Sequence, residues 1–197
     1  MTVSRSAADS STPTTVIVMG VSGAGKSEIA RALAESTGWT MAEGDEFHPA
    51  ANVEKMRSGQ PLDDEDRWPW LHSIADWIGK QEQAGLSSVV TCSALKRSYR
   101  ELLRDGHPSV RFCQLDASAA TLQARVEGRR DHYMPGALLH SQLRTLQSLE
   151  ADEPGGRVST EGDVPQVLRR VLQLLAEGKA AILVVGLLFV LSLNVIL

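Results

Sequence analysis

The run Gly20-Val21-Ser22-Gly23-Ala24-Gly25-Lys26-Ser27 satisfies G-x-x-x-x-G-K-[ST] at each position. Glycines let a loop curl until successive backbone N–H groups point into one concavity, and a helix start behind the loop adds partial positive charge. Together they bind an anionic polyphosphate. Gly20, Ser22, Gly23, Ala24, Gly25, Lys26 and Ser27 therefore form a candidate nucleotide cradle, with Lys26 reaching the β and γ phosphates and the Ser27 hydroxyl offered to Mg2+. The pattern implies ATP or GTP and leaves kinase, motor and switch open.

Phosphoryl transfer to a small molecule needs a group that orients or deprotonates the acceptor hydroxyl, donors that fix the acceptor, and cations over the moving phosphoryl group. Glu43-Gly44-Asp45-Glu46-Phe47-His48-Pro49 follows a β-like stretch, placing Asp45 and His48 where ligands of open α/β sheets bind. Asp45 is the candidate base. Arg67, beside Trp68-Pro69-Trp70, suits bidentate recognition of a carboxylate or phosphate, or else packs and neutralises the acidic run Asp63 to Asp66. That run reads as an exposed helix start. Lys96, after Cys92-Ser93-Ala94-Leu95, is a candidate acceptor or phosphate contact. Arg125 and Arg129 are spaced for one helix face and precede Arg130 and a turn. They read either as a lid over the phosphoryl group or as a salt-bridged surface helix.

These residues need a frame of strands feeding helices. β-rich runs at Thr14–Met19, Trp39–Ala42, Ser88–Cys92 and Val110–Leu115 alternate with helical patterns at Ser27–Thr37, Trp70–Ala84, Ser98–Arg104, Ala119–Arg129 and Pro165–Glu177. The alternation predicts an α/β fold, a three-layer parallel sheet with helices on both faces. Gly38, Gly85, Gly106 and Pro154-Gly155-Gly156 read as punctuation.

The 197 residues suit one domain. A net charge of −4 and a pI near 5.7 argue against nucleic acid as the main partner, so any anion site is local. Cys92 and Cys113 are expected in strands, with neither a zinc site nor a disulfide, which fits a reducing compartment. Residues 1–13 read as a disordered leader, 14–178 as the domain, with Glu177-Gly178 as a helix stop, and 179–197 as an apolar tail. The tail holds no charge after Lys179. It is a borderline membrane segment, a buried terminal element, or an aberrant chain end.

Several separate motifs in order carry a resemblance to the P-loop gluconokinases. They are Gly20 to Ser27; Glu43-Gly44-Asp45 with His48-Pro49; Asn52 to Met56 with Asp64, Asp66-Arg67 and Pro69-Trp70-Leu71; Cys92 to Lys96 with Tyr99-Arg100; and Arg129, His132-Tyr133-Met134 with Ser141-Gln142 and Thr145-Leu146. The likeness spans about Thr14 to Leu175. It implies a nucleoside-monophosphate-kinase-like fold with a small lid, Mg2+-dependent transfer from ATP to the 6-hydroxyl of D-gluconate, and commonly a homodimer; the expected location is cytoplasmic, with membrane association through the C-terminal tail as the alternative. It assigns Gly23, Gly25, Lys26 and Ser27 to nucleotide and Mg2+, and Asp45 to the acceptor hydroxyl. His48, Arg67, Lys96, His132 and Gln142 go to the acceptor pocket, and Arg125 and Arg129 to the lid.

Gln147 departs from the glutamate usual after Thr-Leu, Val158-Ser159-Thr160 is a weak last strand, and the tail has no counterpart in the family. Two other readings stand beside the gluconate kinase: another small-molecule P-loop kinase of shikimate type, or a membrane-attached nucleotide-binding regulator without turnover.

Overall fold

In the computed structural model, residues 12–128 and 136–193 are described, the side chains of 136–138 and 179–193 excepted. Five strands, β1 (Thr15–Met19), β2 (Thr40–Ala42), β3 (Ser88–Cys92), β4 (Val110–Asp116) and β5 (Gly155–Ser159), form one sheet in the order β2-β3-β1-β4-β5. Every pairing is parallel, and the carboxyl ends of β1 and β3 lie level, Met19 opposite Cys92. Helices α1 (Lys26–Thr37), α2 (Ala50–Arg57), α3 (Asp64–Gln83), α4 (Arg97–Arg104), α5 (Ala119–Glu127), α6 (Gly136–Thr145) and α7 (Val164–Leu193) make the connections.

The expected three layers follow from the two-residue period of β1, which is buried on both sides. Val16 and Val18 face α1 and α7 through Ile29, Leu33, Val167 and Val171. Ile17 and Met19 face α3 and α4 through Trp70, Leu71, Ile74, Ile78, Tyr99 and Leu103. Both free cysteines are buried strand residues, and burial pushes each thiol up to about 12, so neither is a nucleophile at neutral pH.

The acidic run is the helix start that the sequence suggests: α3 begins at Asp64, six residues ahead of the apolar pattern, because Asp63 closes a reciprocal capping box with Asp66 and Pro69 is accommodated within the helix. Three other local expectations change. Gly155-Gly156 is not a break but the start of β5. A Cβ at Gly155 would stand 1.9 Å from the Phe112 carbonyl oxygen, so the strand can pair with β4 only without a side chain there. Helices α2 and α6 lie in stretches too polar or too short to show a period.

Finally, Gly178 does not stop a helix. It has no positive φ, and α7 runs on to Leu193. One interior glycine costs about 1 kcal/mol, which the surrounding Leu- and Ala-rich sequence absorbs. Among the described residues no helix is long and apolar enough to cross a membrane. The side chains of the expected tail, and the expected leader apart from Thr12 and Pro13, lie outside the described residues.

Candidate active site

The loop between β1 and α1 takes the shape its glycines permit. Gly20, Gly23 and Gly25 have φ of 140°, 82° and 93°, a region L side chains rarely enter. A Cβ at Gly20 would meet Leu115 O at 3.0 Å, and one at Gly23 would meet Leu122 O at 3.1 Å. Lys26 Nζ curls over the loop and donates to Val21 O at 3.1 Å. The first turn of α1 opens directly behind it, so backbone N–H groups, helix dipole and ammonium converge on one point.

Beside the cradle, Ser27 Oγ donates to Glu43 Oε2 at 3.0 Å. The same oxygen accepts from Thr91 Oγ1 at 2.7 Å, while Thr91 Oγ1 accepts from Gly44 N at 3.0 Å. Gly44 is obligatory here, since a Cβ would lie 1.9 Å from Thr91 O. Hydroxyl and carboxylate oxygens are the hard donors Mg2+ takes, and the pair fits an ion held mostly by phosphates and water. Among the described residues no cluster of three or more His, Cys, Asp or Glu could hold a metal by itself.

A cavity of about 240 Å³ opens at the carboxyl edge of the sheet. It brings together Ser22 and Lys26 of the cradle, Asp45 and His48 from the turn after β2, Arg67 from α3, Lys96 from the β3–α4 junction, and Gln142 from α6. Asp45 lies in a 3₁₀ turn, Gly44–Phe47, held from below by the Trp70 indole N–H donating to Gly44 O at 2.6 Å. His48 stacks on Trp70, ring centres 4.2 Å apart and 15° from parallel, with Nδ1 3.4 Å from Asn52 Nδ2. Burial lowers its pKa to about 4, against the pull of Asp45 and with some help from Arg67. The ring is therefore a neutral hydrogen-bonding group at physiological pH.

Arg67 lies half-buried, its Nε donating to Leu62 O at 3.3 Å and its guanidinium 5.9 Å from the Tyr99 ring centre. Lys96 is already engaged, with Nζ 2.6 and 2.7 Å from the two oxygens of Asp64. Tyr99 Oη donates to Asp64 Oδ1 at 2.6 Å. Lys96 and then Tyr99 hold the Asp64 carboxyl below its usual range, and burial followed by Asp64 pushes the Tyr99 phenol up. Three cationic side chains, Lys26, Arg67 and Lys96, and two carboxylates, Asp45 and Asp64, thus line one cavity. That balance suits an acceptor carrying a single negative charge and many hydroxyls.

The acidic run is consequently more than a solvated helix start. Asp66 pairs with Lys55, and Asp64 belongs to the cavity wall. The sequence alone gives no site role to Glu43, Thr91, Asp64 or Tyr99, although Glu43, Asp64 and Tyr99 stand within the family motifs. Glu43 and Asp64 stand next to or inside polar runs where each looks like surface, and only the strand register reveals Thr91.

Arg125 does not line the cavity. Its guanidinium lies behind the cradle, donating to Gly23 O at 3.4 Å, Thr160 Oγ1 at 3.3 Å and Thr160 O at 3.2 Å. Gln142 does line it, and its Oε1 accepts from Ser22 N at 2.7 Å, tying α6 to the cradle. Arg129 and His132 lie outside the described residues. Gln147 proves to be a cap, its Oε1 accepting from Arg97 N at 2.7 Å in the first turn of α4. A neutral amide does this as well as a carboxylate, apart from the charge–dipole attraction.

A family model described as an AAA domain matches residues 16–149. The chain is 49% identical over 161 residues to a gluconokinase of Gluconobacter oxydans, covering 82% of this chain and 90% of that protein. It is 36% identical over 164 residues to the thermoresistant gluconokinase of Escherichia coli, covering 83% and 94%. The crystal structure of a gluconokinase from Sinorhizobium meliloti superposes with a TM-score of 0.76 at 41% identity, over 84% of this chain and 93% of that one. Solved shikimate kinases match at 18% and 16% identity, a likeness of fold alone. With the cradle, the Glu-Gly-Asp turn and the Lys96 wall arranged around one cavity, the chain belongs to the gluconokinase family of P-loop kinases.

Proposed function

We propose that this protein phosphorylates D-gluconate at its 6-hydroxyl with ATP, giving 6-phosphogluconate and ADP. The observation that carries the reading is that one cavity is shared by the phosphate cradle and a polar acceptor wall: Lys26 and Asp45 line it together with Arg67 and Lys96. In this reading Asp45 orients the hydroxyl and receives its proton as the bond to phosphorus forms, and Lys26 steadies the charge on the phosphoryl oxygens. A dissociative transition state demands little early proton removal, so orientation is the larger share of the Asp45 role.

The guanidinium fork of Arg67 takes the gluconate carboxylate, while neutral His48, Lys96 and Gln142 take hydroxyls. Ser27 and Glu43 would hold Mg2+, which neutralises charge between the β and γ phosphates when bound. Arg125 steadies the cradle from behind, Arg129 belongs to the lid, and His132 belongs to the acceptor pocket. A homodimer and a cytoplasmic location are part of the same proposal, as is a kinase domain ending near residue 178. Contact of residues 179–197 with a membrane is left to fractionation of the full chain.

A coupled ADP-release assay tests the reaction. Turnover stimulated by gluconate and not by shikimate is the expected result. Nucleotide binding without acceptor-stimulated turnover would overturn it in favour of a regulator, and preference for another acceptor would move the chain to a different substrate class.

A further inference from the structure

The wall formed by Ser93, Leu95 and Lys96 turns on a residue that does not itself line the cavity. Ala94 is fully buried behind them. Among the described residues it is the one non-glycine with positive φ, at 41°. A Cβ in that region crowds the following carbonyl, so the conformation persists only where the surroundings impose it. Each carbonyl of the turn has a donor. Gly20 N reaches Ser93 O at 3.4 Å, Arg100 Nη1 reaches Ala94 O at 3.1 Å, and Gln147 N reaches Leu95 O at 2.7 Å. Of these, the bond to Ala94 itself is the only one made by a side chain.

That side chain lies wholly inside the protein. The Arg100 and Glu153 side chains are 0% and 1% exposed, with Nε at 2.5 Å and Nη2 at 2.8 Å from the two carboxylate oxygens. Nη1 is left for two carbonyls, Ala94 O and, at 2.9 Å, Gln147 O, and Glu153 also accepts from Glu150 N. Replacing such a pair by apolar residues is often neutral or stabilising, so stability alone is weak grounds for its presence. We propose that Arg100 is a positioning residue for the acceptor site: from the core it holds Ala94 in the left-handed conformation that turns Ser93 and Lys96 into the cavity. The inference rests on the proposed reading of that cavity as the gluconate site.

The test follows from the geometry of the fork. Lysine at 100 keeps a charge for Glu153 but offers one nitrogen in place of the three that Arg100 spreads over Glu153, Ala94 O and Gln147 O, so the bond to Ala94 O is weakened or lost. Arg100→Lys is therefore expected to raise KM for gluconate at least about fivefold, within the range of coupling across a shared hydrogen-bond network, with KM for ATP nearly unchanged. Glycine holds positive φ without a donor, so adding Ala94→Gly to Arg100→Lys is expected to recover at least about half of that loss on a logarithmic scale. Circular dichroism and Tm establish folding of each variant. If Arg100→Lys does not fold, the paired replacement Arg100→Met with Glu153→Leu, which leaves no buried charge, is measured in the same way with and without Ala94→Gly.

A folded variant with a lowered Tm and an unchanged gluconate KM overturns the proposal, as does a raised KM that Ala94→Gly leaves untouched. Failure of the wild-type protein to turn over gluconate would instead overturn the reading of the site.

Discussion

The cradle and the acceptor wall solve the same geometric problem by different means. Both are sharp turns at the carboxyl end of a strand, and both contain backbone at positive φ. In the cradle the permission for those angles is local: Gly20, Gly23 and Gly25 adopt them without strain, and Gln142 and Arg125 brace a loop whose conformation glycine already allows. In the wall the angle falls on Ala94, and the constraint arrives from Arg100, Gln147 and Glu153, which are six to about sixty residues away in sequence. A phosphate cradle can be written in eight consecutive residues. The acceptor wall is assembled from four separate elements.

Experiments that break the cradle should therefore have the larger effects. Lys26→Ala removes the ammonium at the point where charge gathers on the phosphoryl group, and kcat/KM is expected to fall at least about 10²-fold in steady-state kinetics. Near-wild-type turnover of the folded variant would contradict the role. Asp45→Asn sits on the seam between the two regions. It is expected to keep ATP affinity by isothermal titration with a non-hydrolysable analogue while losing about 10- to 100-fold in single-turnover transfer to gluconate. If nucleotide affinity collapses instead, Asp45 belongs to the cradle side of the comparison.

On the wall, Arg67→Lys exchanges a planar fork for a point charge and is expected to raise gluconate KM about tenfold with little change for ATP. Unchanged gluconate parameters in Arg67→Lys would remove the carboxylate from Arg67. His48 sharpens the comparison through pH. Burial disfavours the imidazolium, so its pKa of about 4 lies below the ordinary 6.5. Between those values the unfolded chain binds the extra proton. The His48 contribution to stability is then complete above pH 6.5 and is lost as pH falls toward 4. NMR titration of the ring is expected to show no protonation between pH 8 and about 5.5, and a midpoint at or above 6.5 would refute its neutral role.

The smallest effect is expected from ending the chain after Gly178. Among the described side chains, the α7 residues packed into the core, Val164, Val167, Leu168, Val171, Leu174 and Leu175, precede that point, so gluconate turnover should stay within about twofold. An unfolded or inactive truncation would place residues 179–197 in the core.

The contrast between cradle and wall also explains what the sequence made legible. Strands β1, β3 and β4 and the cradle were readable because their information is contiguous: a β-branched run, then glycines, then a helical period. Asp45, His48, Arg67, Lys96 and Gln142 were placed by their motifs, and the fold brings them to one cavity. Asp64 and Glu43 stand in the same motifs without a site role, because a carboxylate in a polar run does not show what it will meet. Lys96 was recognised as a cation but not as the partner of Asp64, thirty-two residues away. Gly155-Gly156 misled for the opposite reason. Glycine marks a close approach as readily as a turn, and only the neighbouring Phe112 carbonyl distinguishes the two.

The buried Arg100–Glu153 pair has a consequence for how this chain can change over evolutionary time. Loss of either partner strands the other as an unpaired charge in the core, so a lineage that drifts at one position crosses a fitness valley before it reaches a compensating change at the other. The two positions, far apart in the chain, are expected to be inherited as a single character: kept together, or replaced together when the Ala94 turn is re-engineered, with glycine at that turn as the gateway through which such a replacement passes.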